Sequence, residues 1–276
     1  MGYKTISIKS VSLFFFIIML CSCSKYQQLL KSTDLDHKYE MAIQYYEEEE
    51  YYKAFPLFEE LVTLFKGRSR AEEVYYYYAY CNYYLDDYML ASYYFKNFAK
   101  TYPNSKHAEE CQFMNAYCFY MNSPILSLDQ TNTFKAIDEL QLFVNAYPQS
   151  NRIGECNELI DELRHKLEVK TYKNSKLYYD LGGYKAAIVA FNNTLREFPD
   201  TKYKEDIVFF ILKSNYLLAS NSIDSKKKER LQSTIDACNT FIKIYPDGDY
   251  FKEAESIYEN SLKRLENIVP NTRDRA

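Results

Sequence analysis

Leu20-Cys21-Ser22-Cys23 is the stretch of this 276-residue chain whose residue types and spacing most directly imply chemistry. A cysteine that follows a small residue, with a leucine three positions upstream, has the form of a lipoprotein processing site. The mature chain is therefore expected to begin at a lipid-modified Cys23. Cys21 is the poorer acceptor, because it follows the bulky Leu20, which a peptidase pocket for small residues should refuse. Upstream lie a basic n-region, Lys4 and Lys9, and an apolar run from Val11 to Leu20. That run has the length of a signal h-region and falls well short of the roughly 20 residues a membrane span needs. Residues 1–22 read as a lipoprotein signal peptide and 23–36 as a lipid-anchored linker. The alternative is a non-lipidated secretory signal cut nearby, with Cys23 an ordinary thiol.

Beyond this site the chain offers little chemistry. His37, His107 and His165 are far apart, and none has a partner at i+4, so no zinc-protease helix or paired-histidine metal site is predicted. There is no Gly-x-Ser-x-Gly elbow, no Gly-rich phosphate loop and no Cys-x-x-Cys pair. The run Glu47 to Glu50 ends a predicted helix and reads as a solvated face; Lys226, Lys227, Lys228 and Arg230 read as a wet loop entering a helix. Neither catalysis, a cofactor nor a metal is expected. Without Lys4 and Lys9, 32 basic residues face 38 acidic ones, a net charge of −6 that gives no electrostatic footprint for nucleic acid. Cys81, Cys111, Cys118, Cys156 and Cys238 are an odd number for an oxidising compartment, so at least one is free or pairs between chains. Cys111 and Cys118 lie too far apart along one helix for a disulfide, and the set reads mainly as small buried hydrophobes.

The elements that carry these residues are legible from punctuation. Thirty Tyr and 18 Phe against 6 Gly leave too little glycine for a turn-rich β fold, so helix is the default. Tyr102-Pro103, Tyr147-Pro148, Phe198-Pro199 and Tyr245-Pro246 each close the same kind of segment. Counting back from each proline gives Ala91, Phe95, Phe98; Ala136, Leu140, Phe143; Ala187, Phe191, Thr194; and Thr234, Cys238, Phe241. Steps of four and three place these side chains on one helix stripe, with the small residue where a neighbouring helix comes close and the proline where the helix stops. An earlier copy, Ala54, Phe58 and Leu61, has Lys66-Gly67 as its stop, which makes five units. A second helix per unit is marked by Ala42, Ala79, Ala116 and Ser175. Ala42, Ala79 and Ser175 stand 12 positions before Ala54, Ala91 and Ala187, whereas Ala116 stands 20 before Ala136. Inserted loops are expected at Ser123 to Asn132 and Ser220 to Arg230.

These helix pairs resemble the tetratricopeptide repeat, whose period is 34 residues; here the prolines stand about 45 to 51 apart. The expected fold is all-α, a right-handed superhelical solenoid of about five tetratricopeptide-like helix pairs. Residues 37–150 form its N-terminal repeats, 151–268 its C-terminal repeats and 269–276 a disordered tail. Tyr75 to Tyr78, Tyr80, Tyr83 and Tyr84 advance about 100° per residue and cannot all face one core. Some are expected to line a groove, where a rigid ring with a hydroxyl suits an extended peptide.

Leu29-Leu30-Lys31-Ser32-Thr33-Asp34 follows the lipobox. Then come Tyr102-Pro103-Asn104-Ser105, Ser123-Pro124, Leu128-Asp129-Gln130-Thr131, Tyr147-Pro148-Gln149-Ser150, Gly182-Gly183-Tyr184-Lys185-Ala186-Ala187-Ile188 and Phe198-Pro199-Asp200-Thr201. In order and spacing this resembles the BamD family, lipoprotein subunits of the outer-membrane β-barrel assembly machinery. Thr171, Asn174 and Ser175 depart from the family's pattern. The resemblance implies a non-enzymatic scaffold held by acylated Cys23 in outer-membrane lipid and facing the periplasm. It also implies two partners: the POTRA domains of a BamA-like barrel insertase at the C-terminal repeats, and unfolded outer-membrane β-barrel proteins at the N-terminal repeats. Tyr76 and Tyr80, four apart on one face, are the candidate substrate-groove residues; Tyr184 and Lys185 are the candidate docking residues. A surface glycan- or nutrient-binding lipoprotein, and an envelope scaffold for peptidoglycan or division proteins, are the other classes compatible with the sequence.

Overall fold

The structure, a computed structural model, describes residues 25–268, all of whose regular elements are helical. The signal peptide, Cys23 and the tail 269–276 lie outside the described residues. After a helical turn at 25–30 come α1 (Leu35–Glu47), α2 (Tyr51–Leu64), α3 (Ala71–Tyr84), α4 (Tyr88–Thr101), α5 (Ala108–Met121) and α6 (Thr131–Ala146). They are followed by α7 (Ile153–Asp180), α8 (Tyr184–Glu197), α9 (Lys204–Ser220), α10 (Asp224–Ile244) and α11 (Phe251–Ile268). The contacts define two compact units. The first comprises residues 25–124 with Gln130–Ile160, and the second comprises Ile125–Asp129 with residues from Asp161 on. This division falls inside α7, beyond the 150/151 boundary read from the repeat punctuation, because α7 starts at Ile153 and its first residues still pack in the first unit.

The repeated stripe is the core. Ala54, Phe58 and Leu61, Ala91, Phe95 and Phe98, Ala136, Leu140 and Phe143, Ala187, Phe191 and Thr194, and Thr234, Cys238 and Phe241 are all fully buried. So are their first-helix counterparts Ala42, Ala79 and Ala116, with Ser175 at 1% exposure. Each helix lays one apolar stripe on the next, which is how a helical repeat closes its core between neighbours. Ser214, fully buried 20 positions before Thr234, is the fifth first-helix residue, which the sequence reading did not name.

Each aromatic-proline pair closes its helix as its residue types require. Tyr102, Tyr147, Phe198 and Tyr245 are the C-cap residues of α4, α6, α8 and α10. Their N–H groups donate to Phe98, Phe143, Thr194 and Phe241, after which proline has no N–H to continue the ladder. The turns inside the 12-residue units are also alike. Glu49, Asp86 and Gly182 take positive φ, and the pairs Glu49/Glu50, Asp86/Asp87 and Gly182/Gly183 donate back to the two carbonyls of a Schellman closure.

Two expected loops resolve differently. Residues 122–130 do form a loop between α5 and α6. The expected Ser220 to Arg230 loop shrinks to 221–223, because α10 starts at Asp224. Lys226, Lys227, Lys228 and Arg230 therefore ride on the first turns of a helix. There Lys227 pairs with Asp224 at 2.9 Å, Lys226 with Glu229 at 3.3 Å, and Arg230 reaches Ser222 at 2.5 Å. The segment expected as a linker is likewise structured: residues 25–30 are helical, and Leu35 and Asp36 already belong to α1.

Candidate functional site

In the first unit, the tyrosine run of α3 meets α5. The Tyr80 hydroxyl donates to Glu110 Oε1 at 2.7 Å and that of Tyr76 to Glu110 Oε2 at 3.1 Å; the two rings lie 4.8 Å apart. His107 stacks on Tyr76 at 4.2 Å, with its Nδ1 3.7 Å from Glu110. Burial and the neighbouring Glu110 carboxylate push both phenols above their ordinary range, so both remain donors. Tyr80 is only 6% exposed, which corrects the expectation that it lines an open groove: α4 covers its ring through Phe95, 4.8 Å away. Tyr78 is buried as well, against Tyr94 at 4.7 Å. Tyr76 stays half-buried, and Tyr84, stacked on Tyr51 at 4.3 Å, is 44% exposed. Tyr84 is thus the exposed ring of this helix, Tyr76 is half-buried as are Tyr75, Tyr77 and Tyr83, and Tyr80 holds Glu110 from inside.

In the second unit, the turn between α7 and α8 builds an open apolar concavity. Gly182 has φ +76°, and a side chain on Gly183 would sit 3.2 Å from the Tyr178 carbonyl, so both glycines suit this tight closure. The turn brings Tyr178, Tyr184, Lys185 and Val189 to an open cleft of about 800 Å³, closed on one side by Leu218 of α9. Tyr178 and Val189 are 49% and 56% exposed, and the neighbouring Leu181 is 75% exposed. Tyr184 is half-buried, its ring 5.9 Å from Tyr179, and Lys185 is exposed. The sequence-predicted pair Tyr184 and Lys185 thus shares one cleft; Tyr178 and Val189 join it without having been singled out. Exposed apolar side chains beside a lysine can bury area against a folded partner while the ammonium fixes orientation.

A further device went unread in the sequence. The residue two beyond each of the first three aromatic-proline pairs both receives the N–H two residues on and clasps a glutamate of an earlier first helix. Ser105 accepts from His107 N and donates to Glu72 at 2.5 Å; Ser150 accepts from Arg152 N and donates to Glu109 at 2.6 Å. Thr201 accepts from Tyr203 N and donates to Glu168. Burial opposes the Glu168 charge, but hydrogen bonds from Thr201 and His165 outweigh it and hold the carboxyl below its ordinary value. At the last joint the position is Gly248, and Glu205 Oε1 lies buried with no hydrogen-bond partner.

The five cysteines are free and fully buried. Burial raises every thiol, that of Cys156 to about 11 and those of Cys118 and Cys238 to about 12, so they behave as packing groups. Among the described residues no cluster of His, Cys, Asp or Glu could hold a metal, and no helix is long and apolar enough to cross a membrane.

No curated protein sequence matches the chain. Among solved structures, a tetratricopeptide-repeat protein of Bacteroides fragilis NCTC 9343 is 13% identical over 84% of this chain and 100% of that one, with a TM-score of 0.37. The TPR2AB domain of yeast Sti1, solved in a complex with pHSP90, is 11% identical over 82% and 98%, with a TM-score of 0.39. The tetratricopeptide domain of P58(IPK) is 12% identical over 89% and 68%, with a TM-score of 0.40. At such scores the likenesses carry no inference about this chain. The family model of the YfiO outer membrane lipoproteins matches residues 32–231, and the chain belongs to that family.

Proposed function

We propose that this outer membrane lipoprotein is a non-enzymatic scaffold of the β-barrel assembly machinery, anchored through acylated Cys23 and facing the periplasm. In this reading the POTRA domains of a BamA-like insertase dock on the α7–α8 cleft, and unfolded barrel proteins pass over the Tyr76 and Tyr84 face of α3. The observation that carries it is the cleft itself. It gathers exposed Tyr178 and Val189 beside Lys185, with exposed Leu181 next to them on the same turn, on helices whose opposite stripes are already spent on the core. The tyrosine face adds rigid rings with hydroxyls, which suit an extended strand with alternating apolar side chains.

Affinity purification from detergent-solubilised envelopes tests the first partner. A POTRA-containing barrel protein should co-elute with the parent and be depleted when Tyr184 and Lys185 are both changed to alanine. Photocrosslinkers at positions 76 and 84 should give adducts with unfolded barrel substrates. If those two positions yield the insertase while 184 and 185 yield substrates, the division of labour is the reverse of the one proposed.

A further inference from the structure

The first residues of the described chain are bolted down. The Tyr26 hydroxyl donates to the Lys53 carbonyl at 2.9 Å, and its ring meets Tyr45 edge-on at 5.7 Å. Leu29 is 7% exposed in the core of the first unit. Lys38 is fully buried, and its ammonium donates to the Leu30 carbonyl at 3.1 Å and to Glu60 at 2.7 Å. A buried ammonium is costly unless its donors are satisfied, so this lysine fixes the helical turn 25–30 against α1 and α2. Three residue steps separate Cys23 from Tyr26, and even fully extended they span no more than about 11 Å.

We infer that the first unit rests directly on the phospholipid headgroups instead of swinging on a leash, with the face that carries residues 25–37 turned to the bilayer. This rests on the reading that Cys23 is acylated. That face has a cavity of about 570 Å³ with Lys25, Gln28, Ser32 and His37 on its polar side and Met41 and Tyr45 on its apolar side. A headgroup phosphate with the start of an acyl chain has the matching chemistry: Lys25 meets the phosphate, and Met41 and Tyr45 meet the methylenes. The occupant is the bilayer that holds the anchor, because a pinned chain this short leaves no room for the anchor and the cavity to lie on different surfaces.

The five native thiols are buried, so one added exposed cysteine can be labelled selectively. His37→Cys and Gln141→Cys place a fluorophore on α1 and on α6, which are separated in the first unit by a succession of helices each about 8–10 Å from the next. The full-length lipidated protein goes into phosphatidylethanolamine–phosphatidylglycerol vesicles containing a headgroup spin label. Emission at 37 should be quenched several-fold more than at 141, and the ratio should fall toward one when Tyr26→Phe and Lys38→Met release the tether. Equal quenching in the parent, or a ratio indifferent to the double change, overturns the inference. Mass spectrometry of the same samples separates the two failures: missing acyl mass at Cys23 sinks the anchor reading, whereas acylated protein with equal quenching sinks only the seating of the first unit.

Discussion

Thr201→Val removes one hydroxyl while keeping shape, and so isolates the clasp between the α8–α9 turn and α7, the first helix of the fourth unit. Thr201 is 7% exposed, and its hydroxyl serves two partners, donating to Glu168 and accepting from Tyr203 N at 3.2 Å. A hydrogen bond to a charged group contributes about 1.5–3 kcal/mol and a neutral one such as that from Tyr203 N about 1 kcal/mol. The loss is tempered because Glu168 keeps His165 at 2.9 Å, and its side chain is 13% exposed to solvent. The expected net cost is therefore about 2 kcal/mol, or about 4–8 °C in melting temperature for a chain of this length. Thr201→Ser should recover most of it. Gly248→Ser should work in the opposite direction. A Cβ there would lie 2.3 Å from Glu205 Oε1, the mobile end of a side chain that lacks a partner, so Glu205 can swing aside and accept the new hydroxyl. The gain should be about 1 kcal/mol, aided by the reduced freedom of the unfolded chain. Circular dichroism melts of the four proteins decide the matter. A Thr201→Val protein that melts with the parent, or a Gly248→Ser protein that melts below it, would refute the clasp as a source of stability.

The same clasp predicts a pH dependence. Because the folded Glu168 carboxyl titrates below its ordinary value, its contribution is fully present above the unfolded pKa of about 4.3 and is lost as pH falls through the folded value. The melting difference between parent and Thr201→Val should therefore shrink on acidification below that point; a gap that widens in acid would contradict the assignment. Ala187→Leu should destabilise by about 1–3 kcal/mol, since Ala187 is fully buried on the stripe that faces α7, and an unchanged melting temperature would show that the stripe is misplaced. The five buried thiols should resist maleimide in the native protein and react together after denaturation, as read by intact mass; one thiol that labels quickly in the native state would show that its packing is wrong.

The stripes were legible because helix packing repeats. Ala91, Phe95 and Phe98 recur at one spacing four more times, and each copy meets the same demand, a small residue at the crossing and apolar bulk behind it. Aromatic-proline pairs were legible for the same reason, since a C-cap and a missing N–H are local facts. The α9–α10 connection was misjudged because Ser220 to Arg230 is polar but for Ile223. Polarity alone does not separate a loop from a helix whose first turn is held by Asp224–Lys227 and Lys226–Glu229 pairs.

The surfaces were harder to read, and the reason is a matter of partners. Seven tyrosines on α3 could not all face one core, so exposure somewhere was certain, but which rings were exposed depended on α2, α4 and α5. Tyr80 went inside because Phe95 covers its face and Glu110, 30 residues on, takes its proton donor. Nothing in the sequence around Lys38 marks it for burial; Glu60 and the Leu30 carbonyl enclose it. The clasps hid in the same way: Asn104-Ser105, Gln149-Ser150 and Asp200-Thr201 stood out only as stretches that carry the family resemblance, while the glutamates they hold stand 33, 41 and 33 positions earlier. Periodicity exposes what a helix owes to its own register, and says nothing of a polar atom whose partner sits on a helix one unit away. Gly248 is the converse case. As a residue it is an ordinary turn glycine, and only the three filled joints before it show that an acceptor there has lost its donor.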